Sequence, residues 1–220
     1  MAFIKIDMAT YPRRRHYEHY ISMDGSCTYS VTTNIDITML QATLKKHGLQ
    51  TFPTHLWLFS QAVNDIPEFR MAHNDNGELG IWERVNPRYN VFNEKIKTFG
   101  GIWTEHSPDF REFYYNCVSD MARYKDEQGF ELMTACPNVF DFSCLPWINF
   151  TGFNLNIYTR QSPFTWLAPQ ITIGKFAVDF SGRLQLPLSV QSRHAVCDGY
   201  HVGKFIEKVQ QLVQDCEGWL

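Results

Sequence analysis

The chain has 220 residues, of which 44% are hydrophobic and 20% charged, with a formal net charge of −3. That is room for one domain with a full core and short for two, so residues 1–220 read as a single domain. The charge balance lacks the basic footprint that a phosphate backbone demands, which excludes nucleic acid as a partner, and no run approaches the roughly eighteen apolar residues of a membrane span. The opening MAFIKIDMATYPRRR has no apolar stretch of the secretory type. Six cysteines, at 27, 117, 136, 144, 197 and 216, form no C-x-x-C pair. Zinc-ribbon and thioredoxin-like patterns are thereby excluded, and free thiols in a reducing cytoplasm are expected. The 15% aromatic content implies dense ring packing or an aromatic-lined pocket.

In chain order, Pro12 precedes a short helix over Arg13–Ile21, and Cys27–Ile35 alternates loosely as a strand. Asp36 is placed to cap a helix running to about His47, with Leu40 and Leu44 on one face and Gly48 as the stop. Pro53 opens an apolar helix to about Asn64, which Pro67 ends. Gly80–Val85 and Tyr89–Phe92 read as short strands. Asp109–Tyr124 is amphipathic, with Phe110, Phe113, Tyr114 and Val118 at helical spacing, and Met133–Pro137 reads as loop. Ile171–Phe180 and Arg183–Val190 flank a Ser181-Gly182 turn as a hairpin, and Pro187 suits an edge or a bulge. From Gly199 the positions Val202, Phe205, Ile206, Val209, Leu212 and Val213 mark a final amphipathic helix. The fold class is α/β: two layers, with a mixed, largely antiparallel sheet packed by helices.

Dinucleotide, P-loop, serine-elbow and zincin motifs are absent from the sequence. What remains is Arg193-His194-Ala195-Val196-Cys197-Asp198-Gly199, between the last strand and the last helix. Backbone fixes the orientation of a histidine on such a connection, as a general base requires. Asp198 then either orients the imidazole or pins the loop through an arginine. The plainer alternative is a histidine beside a helix-capping aspartate. His16 and His19 have a spacing that can bind metal, but an exposed pair is the simpler account. His201, in the first turn of the last helix, is expected to face solvent or a neighbouring subunit.

H-x-x-x-D-G before a C-terminal amphipathic helix resembles the signature of the CoA-dependent acyltransferases. RRRHYEHY at 13–20, PEFRMA at 67–72, FSCLPWINF at 142–150, APQITIGKF at 168–176 and LPLSVQSRHAVCDGYHVGKF at 186–205 narrow the resemblance to the chloramphenicol acetyltransferase family. These blocks span nearly the whole chain in the family's order. The resemblance implies that His194 is the general base, its second ring nitrogen bonded to its own main-chain carbonyl. It implies Ser143 as oxyanion stabiliser, Thr172 acting through a bound water, and an Asp198–Arg13 pair holding the loop. Tyr20, Cys27, Phe99, Phe130 and Leu155 match drug-pocket positions. Ser143, Trp147, Lys175 and Phe176 match the side where acetyl-CoA binds as co-substrate, with Lys175 a phosphate contact. No permanently bound cofactor or metal is implied. The implied activity is acetylation of the 3-hydroxyl of chloramphenicol, conferring resistance, by a homotrimer with active sites at subunit interfaces.

The chain departs from the family in places. Arg193 stands where the family has the first of two histidines, and Ile21–Ser26 is one residue longer than usual. Gln50 replaces a lysine found in some members, and Phe52 and Phe176 replace common tyrosines. Alternative activities are the same chemistry on another small alcohol or on dihydrolipoamide, binding without catalysis, and thioester hydrolysis by a His194-activated water.

Overall fold

The computed structural model describes residues 1–23, 27–155 and 166–220. The longer Ile21–Ser26 segment therefore lies in part outside the described residues. Six strands form the main sheet in the order β2 (Thr28–Asp36), β10 (Leu184–Arg193), β8 (Gln170–Gly174), β7 (Val139–Leu145), β5 (Asn86–Asn93) and β6 (Thr98–Trp103), and β9 (Ala177–Val178) adds a short pairing to β10. The β5–β7 and β7–β8 pairs are parallel, and the other pairs of this sheet are antiparallel. A small antiparallel sheet has the order β1 (Phe3–Lys5), β4 (Leu79–Trp82), β3 (Met71–His73). The layers are the mixed α/β arrangement expected from sequence.

Period-two alternation divides the main sheet into two chemically different faces. Leu186, Leu188 and Val190 of β10, Ile171 and Ile173 of β8, and Phe140 and Phe142 of β7 are buried against the helices. The central helix is α3 (Thr51–Asp65), buried from Pro53 through Ser60 and again at Ala62 and Val63. Such burial all round marks a helix enclosed by other elements. It packs on α4 (Phe110–Tyr124) and on α5 (Gly199–Gln214), and α5 buries Val202, Phe205, Val209 and Val213 along one stripe. Rings fill the middle: Phe59 lies 5.4 Å from Phe142 and 6.3 Å from Phe205, which lies 5.2 Å from Phe69. Helix α2 (Thr38–His47) packs on α5 and on α6 (Cys216–Trp219), while α1 (Arg14–Ile21) meets β3 through Tyr17 Oη and His73 Nε2 at 2.7 Å.

The opposite face is polar. Paired residues share a face, so the register aligns Thr32, Ser189, Thr172 and Ser143 across four strands, and Ser30, Gln191, Gln170 and Asp141 beside them. A strap after β7 crosses this face: Ser189 Oγ donates to the Phe153 carbonyl at 2.7 Å, and Leu155 N–H donates to Gln191 Oε1 at 2.9 Å.

Local signals set several boundaries as read from sequence. Gly48 stops α2 at φ 66°, while Asp36, read as its cap, lies one residue before the N-cap Ile37 and accepts from Thr38 N–H at Oδ1 at 3.0 Å. Asp109 caps α4 by accepting from Glu112 N–H. Other readings need correction. The strand read at Ile171–Phe180 breaks after Gly174, where an added Cβ would lie 2.9 Å from the Ile148 carbonyl and from the Phe150 ring. Pro187 sits in an interior strand. It falls between the β9 ladder, which ends at Gln185, and the β8 ladder, which starts at Leu188. Its missing N–H thus coincides with the break.

Candidate active site

Strand β10 carries the chain to Arg193, where it leaves the sheet in a tight turn. The Arg193 carbonyl accepts from both Val196 N–H (3.2 Å) and Cys197 N–H (2.9 Å), and His194 N–H donates to the Cys27 carbonyl at 2.9 Å. The His194 backbone is therefore fixed on both sides. Its half-buried ring stacks on Tyr20, with centroids 4.3 Å apart and planes 6° apart, and meets Tyr29 at 5.2 Å. The bond expected from Nδ1 to the residue's own carbonyl is not made: Nδ1 is buried with no partner among the described residues. Ring stacking takes the place of that bond in holding the imidazole plane.

Asp198 closes the turn in extended backbone as the N-cap of α5. Its Oδ1 accepts from Tyr200 N–H at 3.1 Å, and its Oδ2 accepts from Arg13 Nη1 at 2.5 Å. Burial acts to raise the Asp198 pKa, but the Arg13 hydrogen bond and the nearby His201 and Arg13 charges outweigh it and hold the carboxyl below its ordinary value. The pairing of Asp198 with Arg13 is the one the resemblance implies. Asp198 does not touch the imidazole through any hydrogen bond found here among the described residues.

Arg193 is not a free cation beside His194. Its side chain lies on the polar face, buried, and Nε donates to the Trp166 carbonyl at 2.9 Å. His201 is also not turned to solvent. Its side chain is 12% exposed and lies between Asp198 and Glu68, completing a capping box. His16 and His19 are exposed.

Two cysteines of this region, Cys197 and Cys144, are poor nucleophiles. Burial pushes the thiols of Cys197 and Cys144 each up to about 11, so both stay protonated at neutral pH.

The remaining candidates lie elsewhere on the same sheet. Ser143 pairs with Thr172, and Thr172 with Ser189, which is five positions before His194 on β10. At about 3.3 Å per residue and about 4.8 Å per strand, Ser143 lies roughly 17 Å along and about 10 Å across from His194. One chain therefore brings Tyr20, Cys27, Asp198 and Arg13 to His194, and leaves Ser143 and Thr172 apart from it. Trp147, 65% exposed, packs edge-on to Phe92 at 5.5 Å, and Phe92 pairs with the exposed Phe99. Phe130 is 75% exposed next to β6, its carbonyl accepting from Gly101 N–H. Lys175 and Phe176 follow β8, with Lys175 N–H bonded to the Ile148 carbonyl at 2.8 Å. Leu155 lies on the strap at Gln191. Sequence reading missed Tyr29 at the imidazole and Glu68 at His201. The β2 alternation carried a signal for the first, and nothing local carried one for the second.

This architecture is that of the CoA-dependent acyltransferases. A solved chloramphenicol acetyltransferase superposes with a TM-score of 0.86 at 19% identity, covering 96% of this chain and 100% of that one. A dihydrolipoamide acetyltransferase of Azotobacter vinelandii superposes at 0.63, also at 19% identity, covering 93% and 87%. The chain belongs to the chloramphenicol acetyltransferase family, whose sequence model matches residues 1–210. A chloramphenicol acetyltransferase of Clostridium perfringens is 42% identical over 100% of this chain and 99% of its own length. One of Bacillus pumilus is 42% identical over 99% and 96%.

Proposed function

We propose that this protein transfers the acetyl group of acetyl-CoA to the 3-hydroxyl of chloramphenicol, and that His194 is the general base. The observation that carries the reading is the half-buried His194 imidazole, held by turn and rings in a chain that matches named chloramphenicol acetyltransferases end to end. An alcohol attacks a thioester slowly because its proton is held tightly. His194 takes that proton as the oxygen bonds to the acetyl carbonyl, worth roughly 10²–10⁴ in rate. Negative charge then develops on the carbonyl oxygen, where the Ser143 hydroxyl donates and Thr172 acts through a water. Collapse of the tetrahedral intermediate expels the CoA thiolate, and the imidazolium returns the proton to it. Asp198 and Arg13 hold the loop and take no proton. Tyr20, Cys27, Phe99, Phe130 and Leu155 line the acceptor pocket. Trp147, Lys175 and Phe176 receive acetyl-CoA.

The separation of His194 from Ser143 favours a site built from two copies of the chain, in a homotrimer. The base of one subunit then faces Ser143 and Thr172 of the next. The exposed rings and aliphatic groups at Trp147, Ile148, Phe176, Val178 and Phe180 make an apolar surface of the kind that covers a ligand or a neighbour. Antibiotic resistance follows as the physiological role, since acetylation removes the hydroxyl that the drug presents.

Thiol release from acetyl-CoA, with and without chloramphenicol, tests the reading in wild type and His194→Ala. Release that needs the drug and disappears in the variant is the expected result. Release without the drug would replace it by thioester hydrolysis. No release, with activity on another alcohol, would keep the chemistry and change the acceptor.

A further inference from the structure

The His201 side chain makes two contacts that one protonation state cannot satisfy together. Asp198 N–H points at His201 Nδ1 from 3.1 Å, a bond in which Nδ1 must accept. The same Nδ1 lies 2.9 Å from Asp198 Oδ1, a contact that becomes attractive only when Nδ1 carries a proton. On the other side of the ring, Nε2 lies 3.4 Å from Glu68 Oε1, which belongs to the 3-10 turn Pro67–Arg70. A carboxylate there favours the neutral tautomer with its hydrogen on Nε2 and leaves Nδ1 free to accept. Protonation adds a donor at Nδ1, turns it toward the Asp198 carboxylate and strips Asp198 N–H of its acceptor. The two arrangements differ at Asp198, four residues after His194 and bonded to Arg13.

We infer that His201 is a proton-dependent positioning residue for the catalytic turn: neutral, it locks the Asp198 backbone; protonated, it releases that backbone and competes for the carboxylate. The charged groups that surround the ring are Asp198 with Arg13 behind it, and Glu68 with Arg70 behind it. The Tyr200 ring stands edge-on at 5.5 Å, and Tyr11, Tyr29, Cys197 and Asp65 are further titratable groups that interact with these charges. The consequence is a second ionisation on the acid side of the reaction. Acid then acts on the turn through the His201 contacts as well as on the base, and through His201 it weakens the reaction without abolishing it. This rests on the assignment of His194 as base.

The test uses two readouts. In protein labelled with 15N-histidine, the His201 resonances are identified by their absence in His201→Gln. At pH 8 the proton of neutral His201 is expected on Nε2, and a proton on Nδ1 would overturn the inference whether or not the protein is active. The second readout is the pH dependence of kcat/KM. A glutamine amide oxygen accepts the same N–H and does not titrate. His201→Gln is therefore expected to remove a several-fold part of the acid-side loss of kcat/KM, a loss of the size that His201→Ala shows at every pH. Superimposable acid limbs in the two proteins would refute the proton dependence. His201→Ala, which lacks the acceptor at every pH, is expected to lower kcat several-fold with little change in KM, and an unchanged kcat would refute the positioning. Drug-dependent thiol release that survives in His194→Ala would instead undo the base assignment and leave the 15N result standing.

Discussion

Removing the Arg13–Asp198 pair tests what holds the His194–Asp198 turn. The two side chains are 19% and 32% exposed, so the pair lies between the surface and the interior. Exposed pairs contribute about 0–1 kcal/mol, whereas breaking a buried pair costs about 3–5, which places this one near 2 kcal/mol. Arg13 Nε is buried with no partner among the described residues, so removal of Asp198 leaves the guanidinium poorly compensated. Asp198→Ala also removes the α5 cap, which adds about 1 kcal/mol. Arg13→Ala is then expected to cost about 2 kcal/mol and Asp198→Ala about 3. The double variant should cost about 3 as well, because the pair is lost only once. For a chain of this length 1 kcal/mol moves Tm by about 2–4 °C, so Asp198→Ala should melt roughly 6–12 °C lower.

The assay is urea or thermal unfolding of the four proteins at pH 7.5 and one fixed protein concentration. The sign of the pH dependence follows from the lowered Asp198 pKa. Its stabilisation is complete above the unfolded carboxyl value of about 3.9 and is lost as pH falls through the lower folded value. A coupling energy below about 0.5 kcal/mol at pH 7.5 would show that Arg13 and Asp198 hold the turn independently. That would remove the physical basis for the role assigned to them.

Ser143→Ala is expected to lower kcat by about 10²–10³ with KM for acetyl-CoA little changed. Co-expressed with His194→Ala, it should recover about a quarter of wild-type activity per site, because mixed interfaces pair an intact histidine with an intact serine; no recovery would place the whole site within one chain. Acid should destabilise the fold through two buried histidines, His55 and His106, which burial pushes down to about 4, with Arg84 adding to the effect at His106. Their neutral forms are favoured by folding, so stability should fall between about pH 6.5 and 4 by up to about 1.4 kcal/mol per pH unit for each. A urea midpoint that is flat from pH 7 to pH 5 would contradict this.

Elements with an exposed and a buried face were legible in the sequence. Helices α4 and α5 show a 3.6-residue apolar stripe, and β10 alternates strictly, so their faces followed from periodicity alone. Strands β1, β3, β6 and β7 were missed for different reasons. Val139 and Phe140 are consecutive and both buried, so β7 shows no clean alternation. In β6 the pair Gly100-Gly101 looks like a turn, yet the segment after α4 lies against it. A Cβ at Gly100 would come 2.6 Å from Leu132 Cδ1 and 2.8 Å from the Gly129 carbonyl. Glycine is needed there for close approach, a requirement set by a segment about thirty residues away and invisible to local pattern. At the site, His194, Asp198 and Arg13 were legible because one short segment and one family motif hold them. Glu68 and His201 meet only when the turn Pro67–Arg70 packs on α5.

The same alternation that builds the core also builds the polar face. Because β2, β10, β8 and β7 each turn every second residue inward, the residues between them turn the other way and form rows of hydroxyl and amide groups. Rows of this kind are costly to bury without partners. The strap accounts for Ser189 and Gln191, and its contacts lie toward the His194 end of the sheet. Ser143, half-buried on β7, is farther along the row and keeps a hydroxyl for another group. His194 leaves the sheet at the opposite corner on a turn that is fixed by its own carbonyl and amide bonds. His194 and Ser143 are thus each held by rigid β structure, at places roughly 17 Å along and about 10 Å across from one another in one chain. For both to act on one acyl group, as proposed above, a second copy of the chain must bring its Ser143 corner to this His194 corner.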